Sequence, residues 1–535
     1  MKMMLRRLAT FMLAVLMVLS CMAFFGCNDP VDPVDPVDPV DPVDPVDPVD
    51  PVDPVDPVDP VDPVDPVDPE DPEEPDEPDE PIEIVYGEDY LLTLPKANYG
   101  KTYTFLAGSN NWYLHDLYIA DEDDAAGNTL DEAIYYRNLR VEEYLGVDFD
   151  CITSTLDWNK WSDGTYKSLI INSHDAGDQD FQLAQTYGYG FTDLAIEGLC
   201  YDLNQIDSID LSANWYLQAW VTNSTINGHT YGFIGDVSTF LWDNIFCLYF
   251  NKDVASRYDL VDVLYDTAEN GEFTLEFMME CAERHSAENG NDVWDKEDTY
   301  GIVYNRHAIR LSLTNYGIDI TTYNEDTQEY ELSMYNSHSE QVYDKMYDYL
   351  WNTNYCYYTG QDGESDVAQA MFMDNRAMFM PTILEISQNL RKMTGEFGIL
   401  PMPKFDEDQE EYRTEPRDNT SSFIIPSHCE NPEFAGAVIH ALGAESKYSV
   451  IPVYYDVILK GRTAKDEESG RMLDIIRDSL HTDFGRLHDL GGVYALFGNQ
   501  LANQSTTSFK TAWDSNVGVY EGKLRNVMDF YWLIR

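Results

Sequence analysis

From residue 103 onward the chain alternates two hydrophobic patterns. Short apolar runs closed by turn residues read as buried strands: 103–107, ending at Gly108-Ser109-Asn110-Asn111; 147–152; and 181–186, ending at Tyr187-Gly188-Tyr189-Gly190. Between them apolar residues recur at helical spacing. Leu130, Ile134, Val141 and Leu145 share one face of a helix over 130–145, and 166–172 belongs to another. This β-α-β-α-β order predicts an α/β lobe with a largely parallel sheet. Ligands of such sheets sit beyond the carboxyl ends of strands. The loops at 110–113 and 187–189 occupy those places.

The N-terminal pattern is of another kind. Lys2, Arg6 and Arg7 precede an uncharged apolar run over 8–25, and polar Asn28 and Asp29 follow at once. That arrangement reads as a secretory signal rather than a spanning helix. Signals of the bacterial lipoprotein kind end in a small-residue box and a Cys that takes the lipid. Phe24-Phe25-Gly26-Cys27 resembles that box, and so does Val18-Leu19-Ser20-Cys21. Cleavage before Cys21 would leave apolar 22–25 on the mature chain, so Cys27 is the expected lipidation site and Cys21 the alternative. A plain secretory signal with incidental cysteines is the third reading. The first places the protein on the outer face of the cell membrane, held by a lipid. No later segment is apolar enough to span a bilayer.

Residues 31–69 are thirteen consecutive Val-Asp-Pro triplets. Each Asp precedes a Pro and is pushed toward extended geometry. Pro fixes every third φ, so a polyproline-II stalk is expected, with Val, Asp and Pro each along one edge. The segment lacks the apolar surface to fold. The expected organisation is a signal over 1–27, a disordered Pro-rich acidic linker over 28–84, and a payload over 85–535.

Charge supports the division. The chain holds 97 acidic and 33 basic residues; 28–84 takes 23 of the acidic ones and no basic one, and the leader takes three basic. The payload therefore carries 74 acidic against 30 basic residues, a net of −44. Such a surface repels nucleic acid and anionic lipid, so no nucleic-acid partner is expected. A payload of this length suggests two lobes. Its six cysteines show no C-x-x-C spacing, and buried free thiols are expected.

A run of landmarks then carries a family resemblance. Asn227-Gly228-His229-Thr230-Tyr231-Gly232 leads to Trp242-Asp243-Asn244 and an apolar strand ending in Phe250-Asn251-Lys252-Asp253. Phe273-Thr274-Leu275-Glu276 has the form of a helix start. Tyr300-Gly301-Ile302, Asn375-Arg376-Ala377-Met378 and Phe397-Gly398-Ile399-Leu400-Pro401-Met402-Pro403 follow in order, then a strand over 419–426 and a helix over 432–442. The ordered set resembles the extracellular solute-binding proteins of ABC importers, family 1, the group that includes maltose-binding protein. The resemblance implies a two-lobe α/β periplasmic-binding-protein-like fold of type II, its lobes joined by hinge strands. Lobe 1 would be about 85–244 with 404–442, and lobe 2 about 245–398 with 446–535. Crossings would fall near 244–250, near 397–403 and after Leu442. It also implies partner permease subunits and a solute held between the lobes.

With 37 Tyr and 10 Trp in the chain, an oligosaccharide is the expected solute, because sugars stack their apolar faces on aromatic rings. Trp112, Tyr113, Tyr187, Tyr189, Trp242 and Thr382 fall on segments expected to face the cleft. Asp243 and Glu385 could hydrogen-bond sugar hydroxyls, and Tyr454-Tyr455 could border the site. No H-E-x-x-H, G-x-S-x-G or P-loop is present. Neither enzyme activity nor a cofactor nor a metal is expected; residues 287–298 depart from a calcium loop at Ala287 and Asp292. A surface glycan-binding lipoprotein without a transporter and a secreted carbohydrate-active enzyme are the rival readings.

Overall fold

The computed structural model describes residues 90–109, 117–120, 122–361, 365–417, 419–459 and 467–533. Cys27, the repeat segment, Trp112 and Tyr113 lie outside them. The strands described are β1 (Lys101–Gly108), β2 (Val147–Ser154), β3 (Leu183–Tyr187), β4 (Phe246–Asn251), β5 (Tyr300–Tyr304), β6 (Thr321–Asn324), β7 (Glu329–Leu332), β8 (Cys356–Tyr358), β9 (Ala377–Ile383), β10 (Phe397–Leu400) and β11 (Ser421–Ile424).

The first sheet has the order β11-β3-β1-β2. β1 lies parallel to β2 and to β3, as the alternating pattern predicts. Between β1 and β2 runs α1 (Thr129–Leu145). Asn128 starts it by accepting the backbone N–H groups of Leu130 and Asp131 at 3.1 and 3.4 Å. Gly146 ends it at φ +60, where a Cβ would stand 2.3 Å from Asn98 Oδ1. The helix buries Ala133, Ile134, Val141 and Leu145, and each large aliphatic side chain among them contributes about 1.5–3 kcal/mol. After β2 come α2 (Trp158–Ser162) and α3 (Lys167–Ala176), and after β3 come α4 (Phe191–Ile196) and α5 (Gln218–Ser224). On the far side of β11 from β3, Phe233 bridges Phe423 and Gly235 bridges Tyr216, which widens the sheet at that edge.

Successive β1 side chains point to opposite faces. Tyr103, Phe105 and Ala107 join one core, whereas Leu106 joins a larger one that continues into the second lobe. The second sheet has the order β10-β4-β9-β5-β8. Its strands β4, β5, β9 and β10 are buried along their whole length, which is why they read as near-continuous apolar runs. The helices α6 (Phe240–Asp243), α7 (Leu275–His285) and α8 (Arg306–Asn315) lead into or cover this sheet.

The lobes are joined where three chain segments run side by side. Ile245 bridges Pro416 in antiparallel fashion, and Thr414 bridges Leu480 in parallel. The Arg417 N–H donates to Asn244 O at 2.8 Å, and the His481 N–H to Thr414 O at 2.8 Å. The return crossing is therefore near 414–417, not the expected 397–403. β10 lies within the second sheet, and 404–413 stays beside it: the Lys404 N–H donates to Phe273 O at 3.0 Å, and the Tyr412 hydroxyl to Ala268 O at 3.0 Å. The boundary expected near 446 also shifts. The helix α9 (Pro432–Glu445) runs through a wide turn at Ser446–Val450 into α10 (Ile451–Leu459), where Val450 and Val453 pack on Ala133 and Ile134 of α1. The chain enters the second lobe at α11 (Glu467–Asp478), which packs against β10. Beyond it α12 (Phe484–Leu487) touches α5 of the first lobe, and Val493–Ala502 packs on α8 of the second. Among the described residues no helix is long and apolar enough to cross a membrane. The six payload cysteines are free; five are buried, and Cys151 is half-exposed on β2.

Candidate functional site

At the carboxyl end of β2 the chain turns sharply into α2. Asp157 caps that helix, its carboxylate accepting the Lys160 N–H at 2.8 Å. The cap makes Trp158 the first helical residue and leaves it 61% exposed. Trp161, one turn on, points the other way and is buried against Tyr166. Its ring fills the place where any side chain at Gly190 would project: a Cβ there would meet Trp161 at 2.1 Å. Tyr187, half-buried at the end of β3, stands with its ring centroid 6.2 Å from that of Trp158, the planes tilted by 55°. Beneath them Gln185 holds the strand ends level. Its amide oxygen accepts the Gly108 N–H at 2.9 Å, and its amide nitrogen donates to Ser421 Oγ at 2.8 Å.

The second lobe presents its own strand ends. β5 runs into Asn305, which caps α8 by accepting the Ala308 N–H at 2.9 Å and leaves Arg306 and His307 partly exposed on the first turn. β9 runs into Glu385. Burial raises the pKa of this carboxyl, and the Arg417 charge pulls it back. Arg417 sits on the return crossing, tied by its N–H to Asn244 O. Its guanidinium Nη2 lies 3.2 Å from His307 Nε2. A guanidinium can only donate, so a hydrogen bond here has His307 Nε2 as its acceptor. The fold thus offers a tilted aromatic pair from the first lobe. From the second it offers a carboxylate and a guanidinium–imidazole pair.

The residues expected at the cleft divide in two. Tyr187 and Glu385 stand at strand ends. Tyr189 does not share that setting: it is 9% exposed, with the Arg486 guanidinium 4.6 Å from its ring centroid and its hydroxyl donating to Pro416 O at 3.4 Å. Trp242 is 4% exposed; its indole N–H donates to Asp236 Oδ1 at 3.1 Å, and Tyr455 meets it edge-on at 5.6 Å. The Asp243 carboxylate accepts the Tyr454 hydroxyl at 2.8 Å. Thr382 is buried inside β9, opposite Cys247. Arg486 of the last stretch thus covers Tyr189, Tyr455 and Tyr454 of α10 engage Trp242 and Asp243, and Thr382 packs within the second sheet. Sequence reasoning missed Trp158, Arg417 and His307. The signal for Trp158 was present: Asp157 immediately before it, three residues beyond a strand, is an N-cap at a strand end.

In the loop 287–298, buried Asp298 accepts the N–H groups of Asn289 and Asp295 at 2.9 and 2.6 Å. Its oxygens close the loop. Among the described residues no group of three His, Cys, Asp or Glu is placed to hold a metal.

No family model matches the chain, and no curated protein matches it in sequence. Solved structures match it in fold. A cyclo/maltodextrin-binding protein complexed with maltotetraose superposes with a TM-score of 0.52 at 12% identity, covering 79% of this chain and 97% of that one. UspC of M. tuberculosis gives 0.50 at 11% identity, covering 79% and 100%. The fold is thus the two-lobe type II periplasmic-binding-protein fold that the ordered landmarks implied.

Proposed function

We propose that the protein is a receptor that captures a carbohydrate between its two lobes. The observation that carries this reading is the exposed Trp158 beside Tyr187, at the carboxyl ends of the two strands that flank β1 in a two-lobe α/β fold. Among the described residues the Trp158 indole is left largely exposed. A sugar ring laid on it would hide the apolar face of both partners. Glu385, at the end of β9, and Arg417, on the return crossing, could take hydroxyl groups as acceptor and donor. The maltotetraose complex of the cyclo/maltodextrin-binding protein supports an oligosaccharide over a single sugar.

The finer reading is a receptor for an ABC importer, anchored by lipid at Cys27 on the outer face of the membrane, with permease subunits as partners. It performs no chemistry of its own, and closure of the lobes would signal occupancy to the permease. The test is a thermal-shift screen of the full chain against oligosaccharides, then titration and small-angle scattering with the best ligand. Ligand at 100 times its Kd should stabilise by about 2.7 kcal/mol. The radius of gyration should fall on binding, and Trp158→Ala should weaken affinity several-fold, from about 0.5–1.5 kcal/mol of lost ring contact plus the lost burial. Binding without compaction would sink the lobe-closing mechanism; unchanged affinity in Trp158→Ala would move the site elsewhere.

A further inference from the structure

A hollow of about 290 Å³ lies at the joint. It shares no residue with the strand-end group. One wall is the widened edge of the first sheet, Tyr216 and Gly235, on the opposite side of β11 from β3, β1 and β2. Trp215 and Trp242 stand in that wall as well. The remaining lining comes from Lys447, on the turn after α9, and from Arg477 and Asp478 at the end of α11. The charges in the hollow balance. Lys447 pairs with Asp236 at 3.4 Å and Arg477 with Asp478 at 3.2 Å, two cations against two anions in a payload of net −44.

We propose that this hollow is a second ligand site, for a single neutral sugar or cyclic polyol, and that its occupancy is coupled to the angle between the lobes. The volume sits at the lower limit of small-molecule sites, roughly 300–1,000 Å³, so it admits one ring and not an oligosaccharide. Balanced charge favours a neutral ligand over an ion of either sign. The paired charges offer donors and acceptors side by side, as a ring of hydroxyls requires. Asp236 and Lys447 move with the first sheet, whereas Arg477 belongs to the helix packed on β10. A ligand bridging them binds differently to different lobe angles, which is the condition for coupling to a ligand at the strand ends.

The experiment is calorimetric titration of the full chain with glucose, galactose, mannose and myo-inositol, each to about 10 mM. The same titrations are made on Ala219→Phe, which fills the hollow, on Lys447→Met, which removes a cation, and on Trp158→Ala. At least one probe should bind wild type. Both hollow variants should weaken it about tenfold or more, and Trp158→Ala should leave it unchanged. If Ala219→Phe loses its melting transition, Lys447→Met decides alone. No binding by any of the four, or binding undiminished in Lys447→Met, overturns the second site. Loss of the probe in Trp158→Ala assigns it to the strand ends and overturns the proposal, while leaving the receptor reading intact. For coupling, a bound probe should change oligosaccharide affinity, and by the same factor oligosaccharide should change probe affinity; independence of the two overturns that part.

Discussion

Trp158 and Trp242 occupy opposite settings in one lobe, the first 61% exposed at a strand end and the second 4% exposed at the joint. Both begin or belong to short helices, one after β2 and the other before β4, and both are followed by polar residues. Trp242 is held by Asp236 and by Tyr455 of α10. The stretch from Arg477 onward returns to cover Tyr189, Trp220 and Phe191, with the Thr192 hydroxyl donating to Leu487 O and the Asn223 amide to Thr482 O. Nothing among the described residues covers Trp158 in the same way. The aromatic residues at the joint are packed, with Trp215 and Trp242 in the wall of the hollow there, whereas Trp158 at its strand end is exposed. The contrast can be broken most forcefully at its most buried charge.

Arg486 lies between the rings of Tyr189 and Tyr494, 4.6 and 3.7 Å from their centroids, and bonds Glu415 at 3.2 Å with both residues nearly inaccessible. Removing one partner strands the other in a low-dielectric site. Glu415→Ala should cost about 3–5 kcal/mol, read from the urea midpoint at unchanged slope. The exposed pair Lys167–Asp193, 2.7 Å apart near the strand ends, is the control: Asp193→Ala should cost about 1 kcal/mol at most. Equal losses in the two variants would erase the distinction between joint and rim.

How much of this was legible from sequence depends on the range of the forces involved. The β1–β3 strands and α1 were legible because period and caps are local: Asn128, Gly146 and one apolar face decide them. The fold followed from the order of landmarks. The return crossing was misplaced because 397–403 has the apolar run and prolines of a strand end, while 404–413 has no period at all. Its position is set by long-range bonds such as Lys404 to Phe273 and Gln409 to Asn315. The division of aromatics into joint and rim was not legible, because the segment that buries Tyr189 lies some 300 residues later in sequence, as Arg486 shows. Trp112 and Tyr113 lie outside the described residues and stay candidates on sequence alone.

The two tryptophans themselves give the next contrast. Trp242→Ala removes a buried indole together with its bond to Asp236 and should cost about 3 kcal/mol or more. Trp158→Ala should shift stability by about 0.5 kcal/mol or less while weakening the oligosaccharide. Thermal melts of the two variants without ligand, followed by titration, separate the roles. A melting temperature depressed as much by Trp158→Ala as by Trp242→Ala would mean that the rim indole packs on chain outside the described residues.

The smallest expected effect is a pH slope, small because opposing groups act in the same range. His488, packed among Phe191, Phe484 and Tyr531, is held neutral by burial, its pKa lowered to about 3. In the unfolded chain it titrates near ~6.5. The stability it contributes is therefore full above that value and is lost as pH falls toward 3. Asp236 and Asp483 run the other way. Burial raises each to about 6, against ~3.9 unfolded, so their contribution is full below ~3.9 and is lost as pH rises through 6. Between pH 6.5 and 4 acidification thus weakens the joint through His488 and relieves it through the two acids. His488→Phe keeps a ring of similar size in an apolar setting and removes only the first of these. Urea midpoints measured from pH 7.5 to 4.5 should fall less on acidification for His488→Phe than for wild type, while the two proteins differ least at the alkaline end. Parallel curves would show that His488 does not stay neutral and buried, and that the joint admits water where the rim was thought to be the wetter of the two regions.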